Sequence, residues 1–234
     1  MPTLAAQGRI KGFLSRETHT LLSKAVSFAN RKYAYNDYAK DIHKQVPEVL
    51  DLVSLPLQKA LHQICSFPDD ANIETVEYHR RPRNGYSIPA HQDNFYHCIT
   101  PPAGFKLLIP LQEISQSSGG LIFYAEAAWD QKLMKHEASR LANFSSQVAA
   151  SEFDSSAKTL CYSLHPGDAS YHYLNAIHWA EVNRSEEDKE FIVIRVQSGN
   201  ARICQEQAKE YKRVYEQHLR LMELTDARLS GQQE

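Results

Sequence analysis

The sequence predicts a mainly β domain flanked by α-helices. Three observations carry this. From about residue 73 the chain breaks into short pieces of high strand propensity, punctuated by Gly, Pro, Asn and Ser. Two earlier stretches repeat apolar residues at helical spacing, and a third such stretch closes the chain. Several short strands with turn signals between them fit a β-sandwich or barrel.

In order along the chain, Ser15 stands as an N-cap before "RETHTLLSKAVSFAN", whose Leu21, Leu22, Ala25, Val26 and Ala29 form one apolar face. The block "VPEVLDLVSLPLQKALHQICSF" sets Leu50, Val53, Leu57, Leu61 and Ile64 at steps of three and four. Pro56 is expected to kink it or split it into two helices. The strand candidates are "IETVEYH", "GFKLLIPLQ", "GLIFYAE", "KTLCYSL", "ASYHYL", "HWAEV" and "KEFIVIRVQS". Residues 125–157 read as a polar, partly helical excursion over the barrel mouth, where lids and substrate loops often sit. Finally, Cys204, Ala208, Tyr211, Tyr215, Leu219 and Met222 recur at helical spacing. That helix either packs back on the barrel or meets a second copy, so monomer and homodimer both stay open.

The 234 residues, 42% hydrophobic and 23% charged, suffice for one buried core. A single domain is expected, with helices over 1–72, the barrel over 73–200 and the closing helix over 201–234. A formal net charge of −2 with both signs interspersed argues against nucleic acid or an anionic membrane as partner. The N-terminal stretch lacks the apolar core of a signal peptide, and no run approaches the roughly 20 apolar residues of a membrane span. Cys65, Cys98, Cys161 and Cys204 form no CxxC pair, which points to reduced thiols in a cytoplasmic protein.

Chemistry enters at residues 89–97, "PAHQDNFYH". Side chains two apart on a strand face the same side, so His91 and Asp93 can act on one centre. A histidine from a distant strand would complete a set of three. His178, which opens a strand candidate after the Gly167-Asp168 turn, would give the two-histidine, one-carboxylate triad. Such a triad leaves about three positions open on an octahedral ferrous ion. His172, between two tyrosines and suited to lining a cavity, and His165, before a Pro-Gly turn, compete for that place on spacing alone. His97 reads as a pocket or core residue.

Three blocks, "HQDNFYH", "ISQSSGGLIFYAEAAW" and "GDASYHYLNAIHWAEVNRS", stand in the order found in the phytanoyl-CoA dioxygenase-like family of Fe(II)- and 2-oxoglutarate-dependent oxygenases, which the chain resembles from about residue 73 to 197. The resemblance implies a double-stranded β-helix (jelly-roll, cupin-like) barrel. It implies Fe(II) on His91, Asp93 and His178, with 2-oxoglutarate and O₂ as cosubstrates and a small-molecule substrate. Carboxylate Asp93 favours hydroxylation over halogenation, since halogenating relatives carry a small residue there. The family's arginine for the remote 2-oxoglutarate carboxylate falls eleven residues past the distal histidine, which here is Lys189; Arg195, of the same parity, is the other candidate. The "PGSH" of the second block is missing. Gln92, often glutamine in the family, is placed for a hydrogen bond to cosubstrate or ligands.

Arg80, Arg81 and Arg83 lead into the metal strand. They read either as a solvated basic turn or as a site where Arg81, with Tyr78, Phe95 or Tyr96, holds a carboxylate or phosphate on the substrate; His172 joins that group as a cavity residue. Two rival functions use the same framework: Zn²⁺-assisted hydrolysis on the same ligands, and a barrel without turnover that binds a small molecule.

Overall fold

A computed structural model describes residues 5–127 and 131–230. Ala128 and Trp129, at the end of the second family-like block, lie outside the described residues. The elements run β1 (Gln7–Ile10), α1 (Arg16–Tyr33), β2 (Tyr38–Ala39), α2 (Glu48–Ile64), β3 (Ala71–Arg81), β4 (Ile88–His91), α3 (Asn94–His97), β5 (Ile99–Thr100), β6 (Gly104–Pro110) and β7 (Ile122–Tyr124). They continue with β8 (His136–Ala138), β9 (Ser146–Val148), β10 (Thr159–Cys161), β11 (Ala169–Tyr173), β12 (His178–Ala180), β13 (Lys189–Ser198), β14 (Arg202–Ile203) and α4 (Gln205–Ser230).

Two antiparallel sheets form the body. The larger has the order β1-β11-β6-β13-β3-β2 and the smaller β10-β7-β12-β4. From β3 onward the body strands pass back and forth between them, with β3, β6, β11 and β13 in the large sheet and β4, β7, β10 and β12 in the small one, where β7 and β10 follow each other as neighbours. Eight strands shared out this way make a jelly roll of the double-stranded β-helix type.

Strand β13 shows how sequence builds the wall. Ile192, Ile194 and Val196 join the core beneath the helices, while Phe191 and Val193, one residue out of phase, pack on the other face. Both faces are covered, so the strand reads as a continuous apolar run. Helices α1 and α2 supply the outer cover, with Leu22, Val26 and Ala29 from one and Val49, Val53 and Leu57 from the other in the same cluster as Tyr78, Phe105 and Leu107.

The Ser15 side chain accepts a hydrogen bond from Thr18 N, capping α1 as its sequence predicts. Pro56 does not divide the second block: α2 runs through it as one helix. A proline's missing N–H costs one helical bond, and the buried stripe Val49, Val53, Leu57, Ala60 and Ile64 holds the helix against the sheet on both sides of it. The expected helical content of 125–157 is not found among the described residues; the segment folds back as the β8–β9 hairpin. Its Val148 and His136 are buried, so local contacts with neighbouring elements set its form.

Ile194 is fully buried between helices and sheet. Its replacement by alanine is expected to lower the unfolding free energy by about 2–5 kcal/mol, read from urea denaturation with unchanged m-value.

Candidate metal centre

His91 ends β4 and His178 begins β12, and the two lie directly opposite in the antiparallel ladder. That one register contact converts a separation of 87 positions in the sequence into imidazole centroids 4.2 Å apart. Asp93 follows where β4 gives way to α3. His91, Asp93 and His178 offer ligand atoms that all lie within 4.8 Å of one another, and all three residues are buried.

The hydrogen bonds around the triad suit a metal. Each imidazole donates Nδ1–H to the carbonyl two residues before it, His91 to Pro89 and His178 to Ala176, both at 2.9 Å. This fixes the tautomer and leaves the Nε2 lone pairs facing Asp93, at 3.9 Å for His91 and 3.7 Å for His178. Burial pushes both imidazoles below the ordinary histidine range, which keeps them neutral and able to donate electron pairs.

Asp93 is the anionic member. Burial alone would raise its pKa, but the Lys106 ammonium and a hydrogen bond from His172 outweigh this and hold it well below the usual carboxylate range. Lys106 Nζ lies 2.8 Å from Oδ1 and His172 Nε2 lies 3.0 Å from Oδ2. His172 therefore does not replace His178 as third ligand; it orients the carboxylate from β11. His165 is remote, near Glu113 at 3.6 Å on the surface.

The triad opens into a cavity of about 930 Å³. Of the sequence-predicted residues, His91, Asp93, His178, His172, Arg81 and Tyr96 line it, as does His97. Tyr78 does not: it points to the helix side of β3, fully buried, and bonds Glu190 and Asn30. Its odd-even position puts it on the face opposite His79 and Arg81. Phe95 stacks on His136 at 4.1 Å and supports the wall from behind. Gln92 also faces away from the cavity. Its amide donates to Lys132 O and Asn175 O and accepts from Met134 N, so it pins the segment after residue 130 to the metal strand. Lys189 and Arg195 are absent from the cavity lining; Lys189 lies 3.7 Å from Glu187, and Arg195 donates to Gln197 at 3.0 Å.

Sequence reasoning missed several contributors. Lys106 sits in the strand "GFKLLIP", and a lysine interrupting an apolar strand is itself a sign of a buried, paired charge. Glu77 is another buried acid of the cavity, accepting from Thr75 and lying 3.2 Å from His79 Nε2. Helix α4 contributes Tyr215, His218, Leu219 and Met222 to the lining, and His218 Nδ1 donates to Ser139 O at 2.8 Å, fastening it to the hairpin. Periodicity marked these α4 positions as an apolar face but could not say what that face meets.

A jelly-roll barrel with a buried His-Asp-His centre is thus the class that fold and site define. No protein-family model matches the sequence, and no curated protein matches it either. Solved structures do match. EvdO2 from Micromonospora carbonacea var. aurantiaca, complexed with 2-oxoglutarate, is similar with a TM-score of 0.67 at 16% identity, over 85% of this chain and 88% of its own. EctD from S. alaskensis, with 2-oxoglutarate and 5-hydroxyectoine, gives 0.66 at 13% identity, over 82% and 72%. The epimerase SnoN, in complex with Fe3+, alpha ketoglutarate and nogalamycin RO, gives 0.64 at 12%, over 84% and 80%. At these identities the likeness is one of fold.

Two outcomes follow from the site. Mn(II) is expected to raise the melting temperature of the wild-type protein and to leave His178→Ala unmoved, as followed by thermal denaturation with and without the ion. Glu77 has its pKa lowered from 4.5 to about 2: burial raises it, and His79 and Lys106 more than reverse this. A carboxyl with a depressed folded pKa contributes stability that is fully present above 4.5 and is lost as pH falls toward 2. Urea unfolding across that interval should therefore show a shallower acid loss for Glu77→Gln than for wild type.

Proposed function

We propose that the protein is an Fe(II)- and 2-oxoglutarate-dependent oxygenase that hydroxylates a small organic molecule. The overall reaction would be R–H + O₂ + 2-oxoglutarate → R–OH + succinate + CO₂. The observation that carries this reading is the donor set: two imidazoles and one carboxylate, all buried, with ligand atoms within 4.8 Å of one another in the lining of a cavity. The occurrence of 2-oxoglutarate in similar folds supports it.

Iron bound there would supply O₂ activation driven by oxidative decarboxylation of the 2-oxo acid. The chain's own residues do the rest. Pro89 O and Ala176 O hold the two imidazoles in the ligating tautomer. Lys106 and His172 fix the plane of the Asp93 carboxylate, so the ligand geometry is set before any metal arrives. Leu108, Leu121, Phe191 and Val193 line the cavity with apolar surface, which excludes water from a reactive centre. On the α4 side, Tyr96, Phe144, Tyr215, Leu219 and Met222 form a largely aromatic and aliphatic wall suited to an organic substrate. No helix among the described residues is long and apolar enough to cross a membrane.

Purified protein given Fe(II), 2-oxoglutarate and O₂ is expected to release succinate slowly without added substrate, and His178→Ala to fall to background. Succinate release that survives removal of O₂, or hydrolysis supported by Zn(II) alone, would refute the oxygenase reading.

A further inference from the structure

We infer that Arg81 on β3, rather than a residue of β13, is the cation that receives the remote (C5) carboxylate of 2-oxoglutarate; this rests on the oxygenase reading above. Arg81 is only 4% exposed. Its Nη2 donates to Glu181 O at 2.9 Å, and its Nε has no hydrogen-bond partner. Among the described residues no carboxylate forms an ion pair with it. Its neighbours differ: Arg80 pairs with Asp37 at 2.8 Å, and Arg83 with Glu186 at 3.1 Å. Lys106 is committed to Asp93. A buried guanidinium without a counter-charge is unfavourable, and burial lowers its pKa accordingly. A bound carboxylate removes that penalty.

The cavity lining fits a dicarboxylate. Glu181, whose carbonyl holds the guanidinium, follows directly on β12, the strand that His178 opens. The cavity is thus lined by metal ligands and by a guanidinium. Between them Leu108, Leu121, Phe191 and Val193 offer apolar surface for two methylene groups. Gly119 has φ +83°, and a Cβ there would come within 3.2 Å of Arg81 Nε, so the loop packs tightly against the guanidinium. The fork of an arginine binds a carboxylate through two parallel bonds, which a lysine cannot do.

The departure from the family pattern then has a structural explanation. Lys189 occupies the position where the resemblance puts an arginine, and Lys189 is the direct cross-strand partner of Arg81. The anchoring charge has moved one strand sideways, onto β3, while Lys189 turns to Glu187.

Equilibrium binding tests this. Mn(II)-loaded protein, kept anaerobic, is titrated with 2-oxoglutarate and with 2-oxobutyrate, which lacks the C5 carboxylate. Arg81→Met is expected to weaken 2-oxoglutarate roughly 30-fold or more, the loss of a charge-assisted pair, while 2-oxobutyrate and Mn(II) affinities hold. Lys189→Met and Arg195→Met should each stay within about threefold of wild type, since neither meets the cavity. Arg81→Lys, which keeps the charge and guards against misfolding of the methionine variant, should fall between the two. Unchanged 2-oxoglutarate binding in both Arg81 variants, or a loss confined to Lys189→Met, would overturn the assignment. Failure of the wild-type Mn(II) protein to bind 2-oxoglutarate at all would instead bring down the oxygenase reading and this inference with it.

Discussion

A single carboxylate, buried between the two sheets, sets the terms for the rest of the molecule. Asp93 is 4% exposed and ionised, and a charge in such a place survives only with partners. Two strands provide them: Lys106 comes from β6 and His172 from β11. Both belong to the large sheet, whereas Asp93 follows β4 of the small one. The ion pair therefore ties the two walls together at the level of the metal ligands. Removing either member would leave the other buried and uncompensated, at a cost of about 3–5 kcal/mol.

The barrel can hold such a group because its hydrophobic burial lies largely elsewhere. Helices α1 and α2 and the outer face of the large sheet form the principal apolar cluster. The inner face is thereby freed for polar side chains. Lys106 and Arg195 are direct neighbours across β6 and β13, and His172 flanks Lys106 on the other side. Of these, Lys106 and His172 bond Asp93 directly, while Arg195 turns to Gln197 and Glu74. Their mutual compensation, rather than exposure to water, keeps the inner face folded.

Around this fixed centre the outer walls are assembled from parts remote in sequence. The β8–β9 hairpin, the loop at 142–145 and helix α4 close the side away from the N-terminal helices, joined by His218 and by the packing of Tyr211 on Phe95 and Tyr96. These elements hold no triad residue.

Much of this was legible in the sequence, and the reason is local. Strand and helix periodicity are properties of a few neighbouring residues, so "KEFIVIRVQS", the Ser15 cap and the closing helix could be read directly. The two-residue repeat pointed to His91 and Asp93 as a pair, although Asp93 lies past the end of β4 in helical conformation and reaches the site from there. Selecting His178 over His172 depended on a β4–β12 register that no local pattern encodes, and here only the resemblance to a known family bridged the gap. Lys106 as partner of Asp93, Glu77 as a buried acid, α4 as a cavity wall and Gln92 as a tether were decided by tertiary structure. The same holds for Arg81 and Lys189. Counting along the chain leads to Lys189, but burial and the absence of a carboxylate partner single out Arg81, and those arise only when strands meet side by side. Short-range spacing determines which face a side chain takes; long-range packing determines what waits on the other side.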